Sequence, residues 1–174
     1  MKDAIGLAFD YARKRVFYSD IQRGTINSVA FDGTAHRTLL DNVGSVEGLV
    51  YDRHSETLYW TCNADNSIGK AKIGGYSSSS SGGPVDEEKV VQLGWNDKPR
   101  GIDVDACSGM IYFTNWNAHE PSVMRVWSSG FGLEAVVTTD IRMPNAIAVD
   151  SAEKAFYWGD AREAIQKKKK CLNF

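Results

Sequence analysis

The sequence predicts an all-β fold, an incomplete β-propeller of about three and a half blades with four antiparallel strands in each. Two observations predict it. One strand pattern recurs four times with its internal spacing kept, and no segment carries a helical period.

In the first copy Gly6-Leu7-Ala8-Phe9-Asp10 is a short apolar run, followed by a turn over Tyr11-Ala12-Arg13-Lys14 and an aromatic strand, Phe17-Tyr18-Ser19-Asp20. The second copy reads Gly48-Leu49-Val50-Tyr51-Asp52 and then Tyr59-Trp60-Thr61-Cys62. The third reads Gly101-Ile102-Asp103-Val104-Asp105 and then Tyr112-Phe113-Thr114-Asn115. The fourth reads Ala146-Ile147-Ala148-Val149-Asp150 and then Tyr157-Trp158-Gly159-Asp160. From Asp10, Asp52, Asp105 and Asp150 to the first aromatic is seven residues each time, and successive copies start 42, 53 and 45 residues apart. Those periods suit propeller blades rather than helical solenoids.

A third strand is expected over Thr25 to Phe31 and Ser67 to Ile73, with Asp32-Gly33 turning into a fourth strand at Thr38-Leu39-Leu40. Val136-Val137 closes the third copy in the same way. The long second period is explained by a polar insertion, Ser77 to Ser81 and Gly82-Gly83-Pro84, expected to form a flexible loop over 76–84. The whole of 1–174 is read as one incomplete propeller domain, with repeats at about 15–56, 57–109 and 110–154. Residues 155–174 are read as a truncated fourth repeat with an atypical basic tail ending in Lys167 to Lys170 and Cys171. An open arc of blades leaves apolar edges, so marginal stability is expected.

Composition is 43% hydrophobic, 24% charged and 11% aromatic, which is globular, and the formal net charge of -2 offers no field for nucleic acid. The chain shows neither the apolar core of a signal peptide nor a membrane-spanning run. Cys62, Cys107 and Cys171 form no metal-binding spacing, and no cofactor is expected.

The repeated strand residues Phe17, Tyr18, Asp20, Tyr59, Trp60, Tyr112, Phe113, Asn115, Tyr157, Trp158 and Asp160 are assigned to packing. Their aromatics would fill the wedges between blades, and the aspartates would accept hydrogen bonds from the adjacent blade. One residue copied per blade is not a catalytic constellation, so Asp20 and Asp160 are not read as an acid pair. The candidate ligand residues vary from copy to copy: Glu47, Arg100 and Asn145, just before each inner strand at the mouth of the channel. Arg100 could instead pair with Glu47. Trp116 and Trp95 are expected on loops near the same rim, either as exposed binding aromatics or folded back onto their own blade. His36, His54 and His119 fall on turns or outer loops, and no Gly-x-Ser-x-Gly elbow occurs.

The stretches Asn42 to Leu49, Leu58-Tyr59-Trp60-Thr61, Thr114-Asn115-Trp116-Asn117 and Asp140 to Asn145 resemble the YWTD, or low-density-lipoprotein receptor class B, repeat. More narrowly they resemble the large low-density-lipoprotein receptor-related proteins, over about residues 4 to 161. The resemblance implies a six-bladed propeller, which takes about 250 residues. It also implies a fragment of an endocytic or signalling receptor ectodomain, on the extracellular side of the plasma membrane, whose parent is membrane-anchored and whose partners are extracellular proteins. Asn145 matches a position with which some relatives grip ligands. Cys62 and Asn115 depart from the repeat's Asp, which is expected to alter two blade-to-blade hydrogen bonds. Gly159 departs from its Thr, and Ala146 from its Gly. Cys107 and Cys171 match cysteine positions that imply a disulfide across neighbouring blades. Two alternatives stand beside the receptor module: a metal-dependent, lactonase-like hydrolase on the same architecture, and a structural propeller of the extracellular matrix.

Overall fold

The computed structural model describes residues 3–73 and 85–162. Blade 1 is a four-stranded antiparallel sheet of β1 (Ala4–Asp10), β2 (Arg15–Asp20), β3 (Thr25–Ala30) and β4 (Arg37–Leu40), in that order. Blade 2 repeats it with β5 (Val46–Asp52), β6 (Thr57–Cys62), β7 (Ser67–Lys72) and β8 (Glu87–Gln92). Blade 3 consists of β9 (Pro99–Asp105), β10 (Met110–Asn115), β11 (Ser122–Trp127) and β12 (Glu134–Val137). Blade 4 contributes β13 (Pro144–Asp150) paired with β14 (Ala155–Asp160). The innermost strands β1, β5, β9 and β13 lie side by side, so the blades lean around one axis. The loop expected over 76–84 lies outside the described residues, as does the tail beyond Arg162; β7 and β8 pair directly on either side of the former.

Each inner strand ends in an aspartate, and the reason is local. Asp52 accepts from the His54 amide at 2.9 Å and the Ser55 hydroxyl at 2.6 Å; Asp105 accepts from the Cys107 amide at 3.2 Å and the Ser108 hydroxyl at 2.6 Å. Such side-chain bonds hold the tight turn into the second strand.

The aromatic pair then divides its work across the pleat. Successive side chains point to opposite faces, so the first aromatic meets the following blade and the second meets the preceding one. Phe17 and Trp60 therefore share the core between blades 1 and 2. Tyr59 and Phe113 share the next, and Tyr112 shares the third with Trp158 and Phe156. Burying a large apolar side chain contributes about 1.5–3 kcal/mol, so these wedges hold the arc together.

The strand-end aspartates differ from expectation. Asp160 accepts the amides of Arg142 (2.7 Å) and Met143 (3.0 Å), the residues that lead into its own inner strand. Asn115 takes the Lys98 amide at 2.8 Å, and the Cys62 thiol points to the Val43 carbonyl at 3.3 Å, in the same relation to their own blades. Asp20 accepts the Arg23 amide at 3.3 Å. In these bonds the position ties a blade to its own entry or turn, so Cys62 and Asn115 do not weaken a blade-to-blade bond.

The hydroxyl one residue earlier makes that bond. At the channel end each inner strand is bulged against its neighbour, between Ala4 and Leu7, Val46 and Gly48, Pro99 and Ile102, and Pro144 and Ile147. A bulge leaves ladder groups unpaired, and Ser19, Thr61 and Thr114 collect them. Thr61 Oγ1 accepts the Gly48 amide at 2.8 Å and donates to the Arg100 carbonyl of blade 3 at 2.6 Å. Thr114 does the same between the Gly101 amide (2.9 Å) and the Asn145 carbonyl (2.6 Å), and Ser19 between the Gly6 amide (2.8 Å) and the Val46 carbonyl (2.9 Å). Gly159, at the same place in blade 4, has no hydroxyl to offer.

Candidate functional site at the channel mouth

Because each sheet is antiparallel, the starts of the inner strands, the turns after the second strands and the connections between blades all gather at one end of the arc. The bulges lie at this end, and bulges re-aim side chains. Glu47, Arg100 and Asn145 are on them, inside β5, β9 and β13 rather than before the strands as expected. A cleft of about 400 Å³ runs between the inner strands, lined by Glu47, Arg100, Asn145 and the adjoining Gly48, Gly101 and Ala146.

Two of the three variable residues pair. Arg100 Nη1 donates to Glu47 Oε2 at 3.0 Å, with both side chains mostly buried. The guanidinium also lies over Trp116, its Cζ 3.6 Å from the ring centroid, a cation–π contact strengthened by partial desolvation. Of the two alternatives the sequence left for Trp116, the exposed loop aromatic is not the one observed. It is half-buried, and its indole N–H donates to the Pro144 carbonyl at 2.5 Å, fixing the platform under Arg100. Arg100 keeps its Nε buried without a hydrogen-bond partner among the described residues. Asn145 is exposed at the rim.

Trp95 matches expectation more closely. It is 83% exposed, on the connection between blades 2 and 3 at the same end. Asn66 Nδ2 donates to its carbonyl at 3.2 Å, which pins the backbone and leaves the ring in solvent.

Among the described residues no group of three or more His, Cys, Asp or Glu is placed to hold a metal ion. His54 and His119 lie exposed on outer turns, and His36 contacts the Tyr18 hydroxyl. Cys107 is exposed, while its suggested partner Cys171 lies outside the described residues. Sequence reasoning missed the bridging hydroxyls, although their recurrence directly after each aromatic pair was a signal for them. It also missed Asp97, which gathers the amides of Asn115 (2.7 Å) and Asn117 (3.0 Å) beside the mouth.

Comparison with known proteins agrees with this architecture. Residues 109–151 match the model of the low-density lipoprotein receptor repeat class B. Protein cueball of Drosophila grimshawi is 33% identical over 170 residues, covering 94% of this chain and 27% of that protein. Low-density lipoprotein receptor-related protein 5 of Mus musculus is 31% identical over 167 residues, covering 92% of this chain and 10% of that protein. The chain thus spans about a quarter or less of these relatives. Among solved structures, a chain of a nidogen/laminin complex superposes with a TM-score of 0.80 at 28% identity, over 92% of this chain and 57% of that one. A gluconolactonase of Xanthomonas campestris shares the fold, with a TM-score of 0.69 at 19% identity over 91% of this chain and 54% of that one.

Proposed function

The chain is built of low-density lipoprotein receptor class B, or YWTD, repeats, and from that premise we propose that it is a protein-binding module of a receptor ectodomain. It works on the extracellular side of the plasma membrane and takes an extracellular protein ligand at the channel mouth. The observation that carries the reading is the mouth itself. Packing positions repeat from blade to blade, whereas Glu47, Arg100 and Asn145 differ, and they stand on bulges that aim them at the cleft. Arg100 is held in place by Glu47 and Trp116, and Trp95 offers a large exposed ring at the same end of the arc. A held arginine and an exposed tryptophan are the residue types that anchor protein interfaces.

A lactonase-like hydrolase is the less favoured reading. Such a site needs several oxygen ligands converging on a hard cation, and here the Arg100 guanidinium puts a positive charge at the same mouth, already paired to Glu47.

The experiment is surface plasmon resonance on the immobilised chain with laminin, the partner in the nidogen complex, and a panel of secreted proteins as probes. Binding that Asn145→Ala and Trp95→Ala each weaken about tenfold, and that Asp32→Asn on the β3–β4 turn at the far end leaves unchanged, supports the proposal. A ligand indifferent to the mouth substitutions and sensitive to the far end refutes it, as does a panel with no binder.

A further inference from the structure

A second cavity, about 720 Å³, opens at the same end of the arc, outside the channel. It lies over blade 3, between the connection before β9 and the loop joining β10 to β11. Its lining comes from blade 3 and from the connections on either side of it, with Asp97 before β9 and Thr138 and Ile141 before β13.

Its two sides differ in chemistry. The floor is formed by Met124 of β11, Ala135 of β12 and the buried Ile141. The rim carries two carboxylates, Asp97 and Glu120, with His119 beside them. Asp97 is held by neutral donors alone: Asn115 Nδ2 at 2.7 Å and Asn117 Nδ2 at 3.0 Å on one oxygen, and the Gly94 amide at 2.9 Å on the other. Neutral donors fix a carboxylate without cancelling its charge. Lys98, next in sequence, turns away, its ammonium 2.6 Å from Asn66 Oδ1. Neither Asp97 nor Glu120 enters an ion pair among the described residues. The loop that presents Glu120 is also fixed, because Asn117 Oδ1 accepts the amides of His119 (3.0 Å) and Glu120 (3.2 Å).

We propose that this cleft is a subsite for a basic side chain, lysine or arginine, of a protein ligand. The methylene stem lies on Met124, Ala135 and Ile141 while the cation reaches Asp97 and Glu120. Long basic side chains bury their stems and keep their charged heads at a polar rim, and this floor and rim match that division. Asn115 lines the cleft and Trp116, its neighbour, supports Arg100, so one ligand spans both places. The inference rests on the reading of this end as the ligand face and adds what the ligand carries there.

The test is an NMR titration of the isotope-labelled full chain with acetyl-Gly-Arg-Gly-amide and acetyl-Gly-Lys-Gly-amide. The counterpart in which neutral citrulline replaces arginine is the control. The basic peptides are expected to shift the amides of residues 94–98 and 117–120, with the citrulline peptide about fivefold weaker. Glu120→Gln, an exposed substitution outside the folding core, is expected to weaken the basic peptides about fivefold and leave the citrulline peptide unchanged. Equal binding of citrulline and arginine, shifts confined to the channel residues, or no shifts would each overturn it. Failure here leaves the effect of Asn145→Ala and Trp95→Ala on protein ligands intact. Failure of the mouth reading leaves the peptide shifts intact.

Discussion

The Thr61 hydroxyl donates to the Arg100 carbonyl 2.6 Å away, and Thr61 and Arg100 belong to different blades. The same oxygen accepts the Gly48 amide that the bulge in β5 leaves without a ladder partner. One fully buried atom thus closes a defect within its sheet and links that sheet to the next. Thr61→Val keeps the shape and removes both bonds, leaving a buried donor and acceptor unsatisfied at about 1–3 kcal/mol each. The expected loss is roughly 2–6 kcal/mol, measured by urea unfolding. Thr114→Val is expected to cost less, because the exposed Asn145 lets water reach the freed carbonyl. Equal stability of Thr61→Val and wild type would show that the seam is held by apolar packing alone.

Gly48 shows how close the inner strands stand. A Cβ built there would lie 2.2 Å from the Arg100 carbonyl oxygen, a backbone atom with nowhere to retreat. Gly48→Ala must push β5 and β9 apart at the point where the mouth residues are positioned. Overpacking of this kind costs about 1–3 kcal/mol. It is also expected to weaken the Glu47–Arg100 pair, which spans the same two strands. An alanine variant with unchanged melting temperature and an unchanged Arg100 side-chain NMR signal would contradict this geometry. Ala146 occupies the equivalent place in blade 4, where no described strand stands beyond it.

Strands and blades were legible in the sequence because both rest on spacing along the chain. The interval from Asp105 to Tyr112 is set by one turn and one register, and it repeats wherever that turn repeats. The division of each aromatic pair between two wedges follows from the same pleat. Contacts across the seam are another matter. The repeat marks Ser19, Thr61 and Thr114 as equivalent but does not say whether they or the following Asp, Cys and Asn reach the next blade. A one-residue bulge decides that, and it leaves no mark in composition. The site was half legible. Glu47, Arg100 and Asn145 stood out by varying, and the Glu47–Arg100 pair was foreseen as one alternative. The burial of Trp116 depends on Pro144, about thirty residues on, and the cleft over blade 3 depends on loops from two connections. No period within the chain relates those residues.

The seam between blades 3 and 4 carries its own pH dependence. Burial pushes the Asp103 carboxyl above the usual range, more than the amides of Val149 (2.7 Å) and Val104 (2.8 Å) pull it down. A raised carboxyl favours the folded state when neutral, so its contribution is present below the unfolded value of about 3.9 and is lost as pH rises through the folded value. Asp105 and Asp160 have the opposite sign. Burial would raise both, but the Ser108 and Ser151 hydroxyls and the Cys107 amide outweigh it at Asp105, and the Arg142, Arg162 and Met143 amides outweigh it at Asp160. Their stabilisation is present above about pH 3.9 and is lost as pH falls through the lowered folded values, so they drive acid unfolding. Thermal melts of wild type and Asp103→Asn are expected to shift relative to one another in favour of wild type as pH falls from about 7 to 4.5. A constant gap would remove Asp103 from the account.

Blade 1 turns to solvent a face that the other blades bury. Leu7 is 56% exposed, whereas Leu49 and Ile102, at the same place in blades 2 and 3, are 6% and 7% exposed under the preceding blade. Phe9, Tyr11 and Phe31 extend the patch and pack on one another, with ring centroids 5.8 to 6.5 Å apart. Contiguous apolar surface of this kind promotes association, so the chain is expected to self-associate at high concentration through blade 1. Leu7→Ser with Phe9→Ser is expected to abolish that association in sedimentation velocity. It should lower the stability by no more than about 1 kcal/mol, since Leu7 is 56% and Phe9 44% exposed. The two measurements have to be made together. A drop in association with a large loss of stability would mean that the patch supports blade 1 itself. Unchanged association would place the self-contact elsewhere, and the face would be harmless despite its exposure.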